Sequence, residues 1–106
     1  RLLIAMLSDN GLESFIDKFG LPSKEEWSGA SELKAFYRQI AKIREQGFAM
    51  QITVNHILGI ALPLYRDGKV IASLSMYMPE SRFSTSDTER IVRLIKRSAE
   101  RISKNL

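Results

Sequence analysis

The hydrophobic period changes at Gly47, and that change restricts the fold more than any other feature of the sequence. Before it, apolar residues recur at every third or fourth position. After it, they alternate with a period of two. The first part therefore reads as helices and the part that follows as strands.

Residues 8–19 read as a helix. Ser8 is placed to cap it, acidic residues follow just inside its start, and Leu12, Phe15, Ile16 and Phe19 form a stripe for the core. Gly20 stops it and Leu21-Pro22 breaks the chain. Residues 21–30 read as a surface loop that Trp27 anchors. A second helix is expected over 31–46, capped by Ser31, with Leu33, Phe36, Tyr37, Ile40 and Ile43 as its buried stripe. Gly47 suits the end of that helix.

Strands are expected over 48–53, 57–65 and 69–78, with Val54-Asn55-His56 as a connection and Arg66-Asp67-Gly68 as a hairpin signal. Pro79 closes the last strand. Ser84-Thr85-Ser86-Asp87 reads as the start of a final helix whose Ile91, Leu94, Ile95, Ala99, Ile102 and Leu106 line one side. The order is helix, helix, three strands, helix. It predicts an α+β fold, an antiparallel sheet with helices on one face.

At 106 residues, the chain makes one domain at most, with little core to spare. No apolar run is long enough for a membrane helix. Arg1 leads directly into the apolar run Leu2–Leu7, which reads as the tail of a helix that begins upstream, so the chain is expected to be a fragment. There is no cysteine, which rules out disulfides and thiolate metal sites and fits a reducing compartment, here taken as the cytoplasm.

No catalytic set emerges. His56 is the single histidine and has no partner at metal-ligand spacing. The six glycines lie singly and form no phosphate loop. Neither a metal nor a cofactor is expected. The final helix carries Arg90, Arg93, Arg97, Arg101 and Lys104 at spacings of three and four. This basic face reads either as contact with phosphates or an acidic partner, or as a solvated surface.

The strand of residues 70–78 is the most suggestive segment. Alternation puts Val70, Ala72, Leu74, Met76 and Met78 on one apolar face, and Ile71, Ser73, Ser75 and Tyr77 on the other. The three hydroxyls are either the wet side of an antiparallel sheet or the floor of a pocket. Gly59, inside the preceding strand, favours a close approach. A two-residue Asp67-Gly68 turn would pair Ile60 with Ser75. A three-residue loop with a bulge at Gly68 would pair Gly59 with Ser75, and this second register is the one expected.

The stretch Ile40-Ala41-Lys42-Ile43-Arg44-Glu45-Gln46-Gly47-Phe48-Ala49 resembles the helix and "IREQGYA" segment of IclR-type bacterial transcriptional regulators. Gly59–Leu64 and Asp67–Ser75 resemble that family's hairpin. Phe83–Asp87 and the last helix resemble its C-terminal helix, and Leu2–Leu7 and Leu12–Pro22 match further positions. The resemblance implies a GAF-like effector-binding domain, of which residues 1–106 are the C-terminal two-thirds. It also implies an N-terminal winged helix-turn-helix outside this fragment, which contacts DNA for a homodimer or homotetramer, and a small-molecule effector such as a carboxylate or sugar acid. Ser75 matches one serine of the family's ligand site. Tyr77 stands at its next hydroxyl position, Gly59 near a cysteine position, and Gln51 near an acidic one. Effector-binding residues are thus expected at Ser75, Tyr77, Gly59, Gln51 and Ser73. A structural or oligomerising domain with a vestigial pocket is the alternative.

Overall fold

A computed structural model describes residues 1–82 and 88–106. The expected helix cap at Ser84–Asp87 lies outside the described residues. Among the described residues the elements are α1 (Leu2–Ala5), α2 (Asp9–Phe19), α3 (Leu33–Gln46), β1 (Ala49–Ile52), β2 (Ile57–Arg66), β3 (Lys69–Pro79) and α4 (Thr88–Lys104), with a 3-10 turn at Glu80–Arg82. They divide into two compact units, a helical one ending at Gly47 and a sheet unit starting at Phe48. The boundary coincides with the change of hydrophobic period.

In the helical unit, Ser8 caps α2 as expected, its side chain accepting from the Gly11 N–H at 3.1 Å. Leu12 is fully buried, but Phe19, expected in the stripe, is 66% exposed and stacks on Phe15 with 4.9 Å between ring centroids. Helix α3 buries Phe36, Ile40 and Ile43, while Leu33 and Tyr37 stay exposed. The expected cap at Ser31 is also corrected. Glu32 holds the cap position in extended geometry and makes no side-chain capping bond. Gly47 ends α3 at φ 81°, a left-handed conformation for which glycine carries no Cβ penalty.

Arg44 ties this unit together. Its guanidinium donates to the Ala5 carbonyl at 2.7 Å, the Leu7 carbonyl at 2.6 Å and the Asp9 carboxylate at 2.9 Å. The two carbonyls belong to the end of α1 and the residues just after it, where helical carbonyls lack intrahelical partners and a cation is favoured. The 21–30 loop is more ordered than its sequence suggested. Ser23 and Glu26 cap each other: the Ser23 N–H donates to the Glu26 carboxylate at 3.0 Å, and the Glu26 N–H donates to the Ser23 hydroxyl at 3.2 Å. Trp27 is buried, its ring edge-on to Phe36 at 6.0 Å, as an anchor should be.

The sheet unit has the order β1-β2-β3, antiparallel throughout. Leu58, Ile60, Leu62 and Leu64 alternate along β2 and pack with Val92, Ile95 and Ala99 of α4. Phe48, Met50, Ala72, Leu74, Met78 and Ile91 close around them. Each fully buried aliphatic side chain contributes roughly 1.5–3 kcal/mol. The α4 stripe differs from the expected one: Val92 joins it, while Leu94, Ile102 and Leu106 are exposed. Met76, assigned to the apolar face of β3, is 43% exposed.

The β2–β3 register matches neither expected alternative. Asp67 and Gly68, at φ 51° and 76°, form a two-residue turn closed by Arg66 opposite Lys69. Two positive φ angles in sequence suit the twist of a hairpin. Tyr65 then pairs with Val70 but Leu64 with Ala72, which leaves Ile71 as an extra residue in β3. The bulge is on the strand, not at Gly68, and shifts every later pair by one. Gly59 therefore faces Tyr77, and Ser75 faces Ala61.

Two outcomes test the helical unit. Arg44→Ala removes three charge-assisted bonds and should cost about 1.5–3 kcal/mol of stability in chemical denaturation. The bonds from Ser23 hold the Glu26 carboxyl below its ordinary value of 4.5. A depressed carboxyl favours the folded state above the unfolded pKa. That contribution fades as pH falls from 4.5 through the lowered folded value. An NMR titration should find Glu26 protonating below 4.5, and Ser23→Ala should move it upward.

Candidate functional site

All five expected site residues lie on one face of the sheet, opposite the face that packs on α4. The register fixes this. Paired residues in an antiparallel sheet point to the same side, and Gln51, Gly59 and Tyr77 form one row across all three strands. The next row is Ala49, Ala61 and Ser75, and beyond it Pro63 faces Ser73. Leu58, Ile60, Leu62 and Leu64 occupy the intervening positions and point the other way.

Tyr77 is 64% exposed, yet its ring lies against the glycine. A Cβ built on Gly59 would meet the Tyr77 ring at 3.0 and 3.2 Å, and the Gln51 Cγ at 3.6 Å. The glycine thus leaves room for the side chain across the strand, and no positive backbone angle calls for it. This close approach was legible as a principle, a glycine inside a strand, but its partner was not. The sequence reading put Ser75 there, and the bulge at Ile71 puts Tyr77 there instead.

The face is electrically neutral. Its rows offer the hydroxyls of Ser73, Ser75 and Tyr77 and the amide of Gln51, between small apolar residues. Hydroxyls donate and accept, and the amide does both at separate atoms. Such a surface can bind an oxygen-rich molecule by hydrogen bonds and orient it, but it holds no nucleophile with an adjacent base.

His56, at the mouth of the β1–β2 turn, adopts φ 59°. Its Nδ1 lies 3.0 Å from the Glu80 Oε2, and its carbonyl accepts from the Glu80 N–H at 2.8 Å. These contacts tie the β1–β2 turn to the end of β3. No sequence signal pointed to this contact, because Glu80 is 24 residues away.

The fold and this face define an α+β domain whose sheet carries a row of hydroxyls and an amide on one side, and the comparisons agree on what class it is. The family model for the bacterial transcriptional regulator IclR C-terminal domain matches residues 1–104, and the chain belongs to that family. The family is one of transcriptional regulators, not of enzymes. No curated protein matches the chain.

Among solved structures, the chain resembles the C-terminal domain of the transcriptional regulator KdgR of E. coli at 24% identity and a TM-score of 0.81. There it covers 97% of this chain and 64% of the other. It also resembles the inducer-binding domain of the PobR transcription factor of Acinetobacter, a double mutant in complex with 3-hydroxybenzoic acid. That match has 17% identity, a TM-score of 0.81 and coverage of 99% and 62%. The repressor BlcR of Agobacterium tumefaciens matches at 18% identity and a TM-score of 0.81, with coverage of 99% and 44%. These likenesses establish the fold. The chain spans less than two-thirds of each of these structures. No helix among the described residues is long and apolar enough to cross a membrane.

The Gly59–Tyr77 contact has a direct test. Gly59→Ala should displace the exposed ring and shift the Tyr77 ring resonances, while stability changes by less than about 1 kcal/mol because the ring is free to swing outward. Unshifted resonances would show that the ring does not lie on Gly59.

Proposed function

We propose that this chain is the C-terminal two-thirds of an effector-binding domain, and that the face bearing Gln51, Gly59, Ser73, Ser75 and Tyr77 binds a small carboxylic or sugar acid. The full-length protein is then a cytoplasmic homodimer or homotetramer. The effector changes how its separate winged helix-turn-helix domain binds DNA. One observation carries this reading: the five residues share a neutral, hydrogen-bonding sheet face in a chain of the IclR C-terminal family. The PobR inducer-binding domain, of similar fold, binds 3-hydroxybenzoic acid, a small carboxylic acid, and supports the same ligand class. On this reading Ser75 donates to a carboxylate or hydroxyl oxygen of the effector, and Tyr77 shapes one end of the site. With no cation on the face, the hydroxyl and amide donors must compensate what a carboxylate loses in leaving water.

A second reading has its own observation. The Tyr77 ring already fills the space over Gly59, where a ligand would otherwise approach most closely. On that reading the face is vestigial and the domain is structural or oligomerising.

Thermal-shift screening of the full-length protein against small carboxylic and sugar acids separates the two. A ligand at one hundred times its Kd stabilises by about 2.7 kcal/mol, a shift of several degrees for a domain of this size. Ser75→Ala should lose about 1 kcal/mol of binding, roughly fivefold in Kd. A shift that is the same in Ser75→Ala removes Ser75 from the site, and no shift with any acid favours the structural reading.

A further inference from the structure

The net charge of this chain is concentrated in one element. Of its 16 basic and 12 acidic residues, six basic and two acidic lie in α4. The ten basic and ten acidic residues elsewhere cancel, so the whole formal +4 belongs to this helix. Within α4 the charge is also on one side. Val92, Ile95 and Ala99 are buried, whereas Arg90, Arg93, Arg97, Arg101 and Lys104 are all exposed on the opposite flank. At 1.5 Å per residue this makes a ridge about 20 Å long.

The ridge is not purely polar. Leu94 is 55% exposed, and Arg90 and Arg97, at i−4 and i+3, are its neighbours on the helix surface, with Arg101 one turn beyond Arg97 on the same flank. An apolar side chain flanked by arginines has a specific meaning. Arginine is enriched in protein interfaces because its planar guanidinium grips carboxylates in pairs and gives up water more readily than lysine.

We infer that the outer face of α4 is a docking surface for an acidic segment of a partner protein, one that also carries apolar residues to cover Leu94. Charge decides against a second copy laying the same face on this one, because ten like charges would then meet. Composition decides against nucleic acid. No aromatic residue is interleaved for stacking on bases, and Leu94 gains nothing against a phosphate backbone. An acidic, apolar-bearing peptide satisfies both features at once: carboxylates pair with the arginines while its apolar side chains exclude water from Leu94.

The test uses the full-length protein and a fluorescein-labelled synthetic peptide of alternating Glu and Leu, read by fluorescence anisotropy, with a random-sequence DNA duplex as comparator. The peptide should bind and weaken at least tenfold between 50 and 200 mM salt. The Arg97→Glu/Arg101→Glu pair should weaken it more than tenfold, and Leu94→Ser severalfold. Arg97→Gln/Arg101→Gln, which adds no repulsion, should fall between, and circular dichroism should show each variant as helical as the parent. Absence of peptide binding, or peptide affinity unchanged in the arginine variants or in Leu94→Ser, overturns the inference. Charge reversal that weakens the duplex while leaving the peptide unaffected would instead make this a phosphate-contacting face.

Discussion

The packing of β2 on α4 is the constraint from which the rest of the sheet unit follows. Leu58, Ile60, Leu62 and Leu64 are committed to one side by their contact with Val92, Ile95 and Ala99. Because side chains alternate along a strand, Gly59, Ala61 and Pro63 must then face the other way. Pairing carries that decision to both neighbours, so Gln51 on β1 and Ser73, Ser75 and Tyr77 on β3 share the free face. A polar surface of this kind is not assembled residue by residue. It is the reverse side of a hydrophobic seam.

Within that frame, a single extra residue sets the chemistry. The bulge at Ile71 advances β3 by one position relative to an unbroken two-residue hairpin, and it brings the Tyr77 ring over Gly59. Without it, Ile60 and Ser75 would be partners, and the hydroxyls would face the seam. The bulge and the glycine thus act together: one delivers the aromatic ring, and the other leaves the space it occupies. The same strand-and-helix packing leaves the far flank of α4 exposed, where the net charge of the chain collects near Leu94.

The helical unit follows a different economy. Its ends are short and its sequence is rich in charge, and Arg44 supplies what local helix propensity does not. One guanidinium satisfies two backbone carbonyls and the Asp9 carboxylate at the α1–α2 junction. The same arginine lies in the segment that carries the family resemblance, and its role there is structural.

Much of this was legible in sequence because it is local. The α2 cap at Ser8, the helix stops at Gly20 and Gly47, the presence of a hairpin at Arg66–Gly68 and the change of period at Gly47 all depend on residues a few positions apart. What the sequence left open depends on distant partners. Phe19 and Leu94 fit an apolar period but find no surface to cover them, since periodicity describes a face and not what meets it. Ser31 could cap α3, yet the chain entered the helix one residue later. The pairing of His56 with Glu80 and of Arg44 with the α1–α2 junction spans dozens of residues. Residue order and periodicity determined an α+β chain with a polar strand and a glycine set for a close approach. Only tertiary structure decided which residue made that approach, because a bulge moves a whole register without altering the alternation by which a strand is recognised.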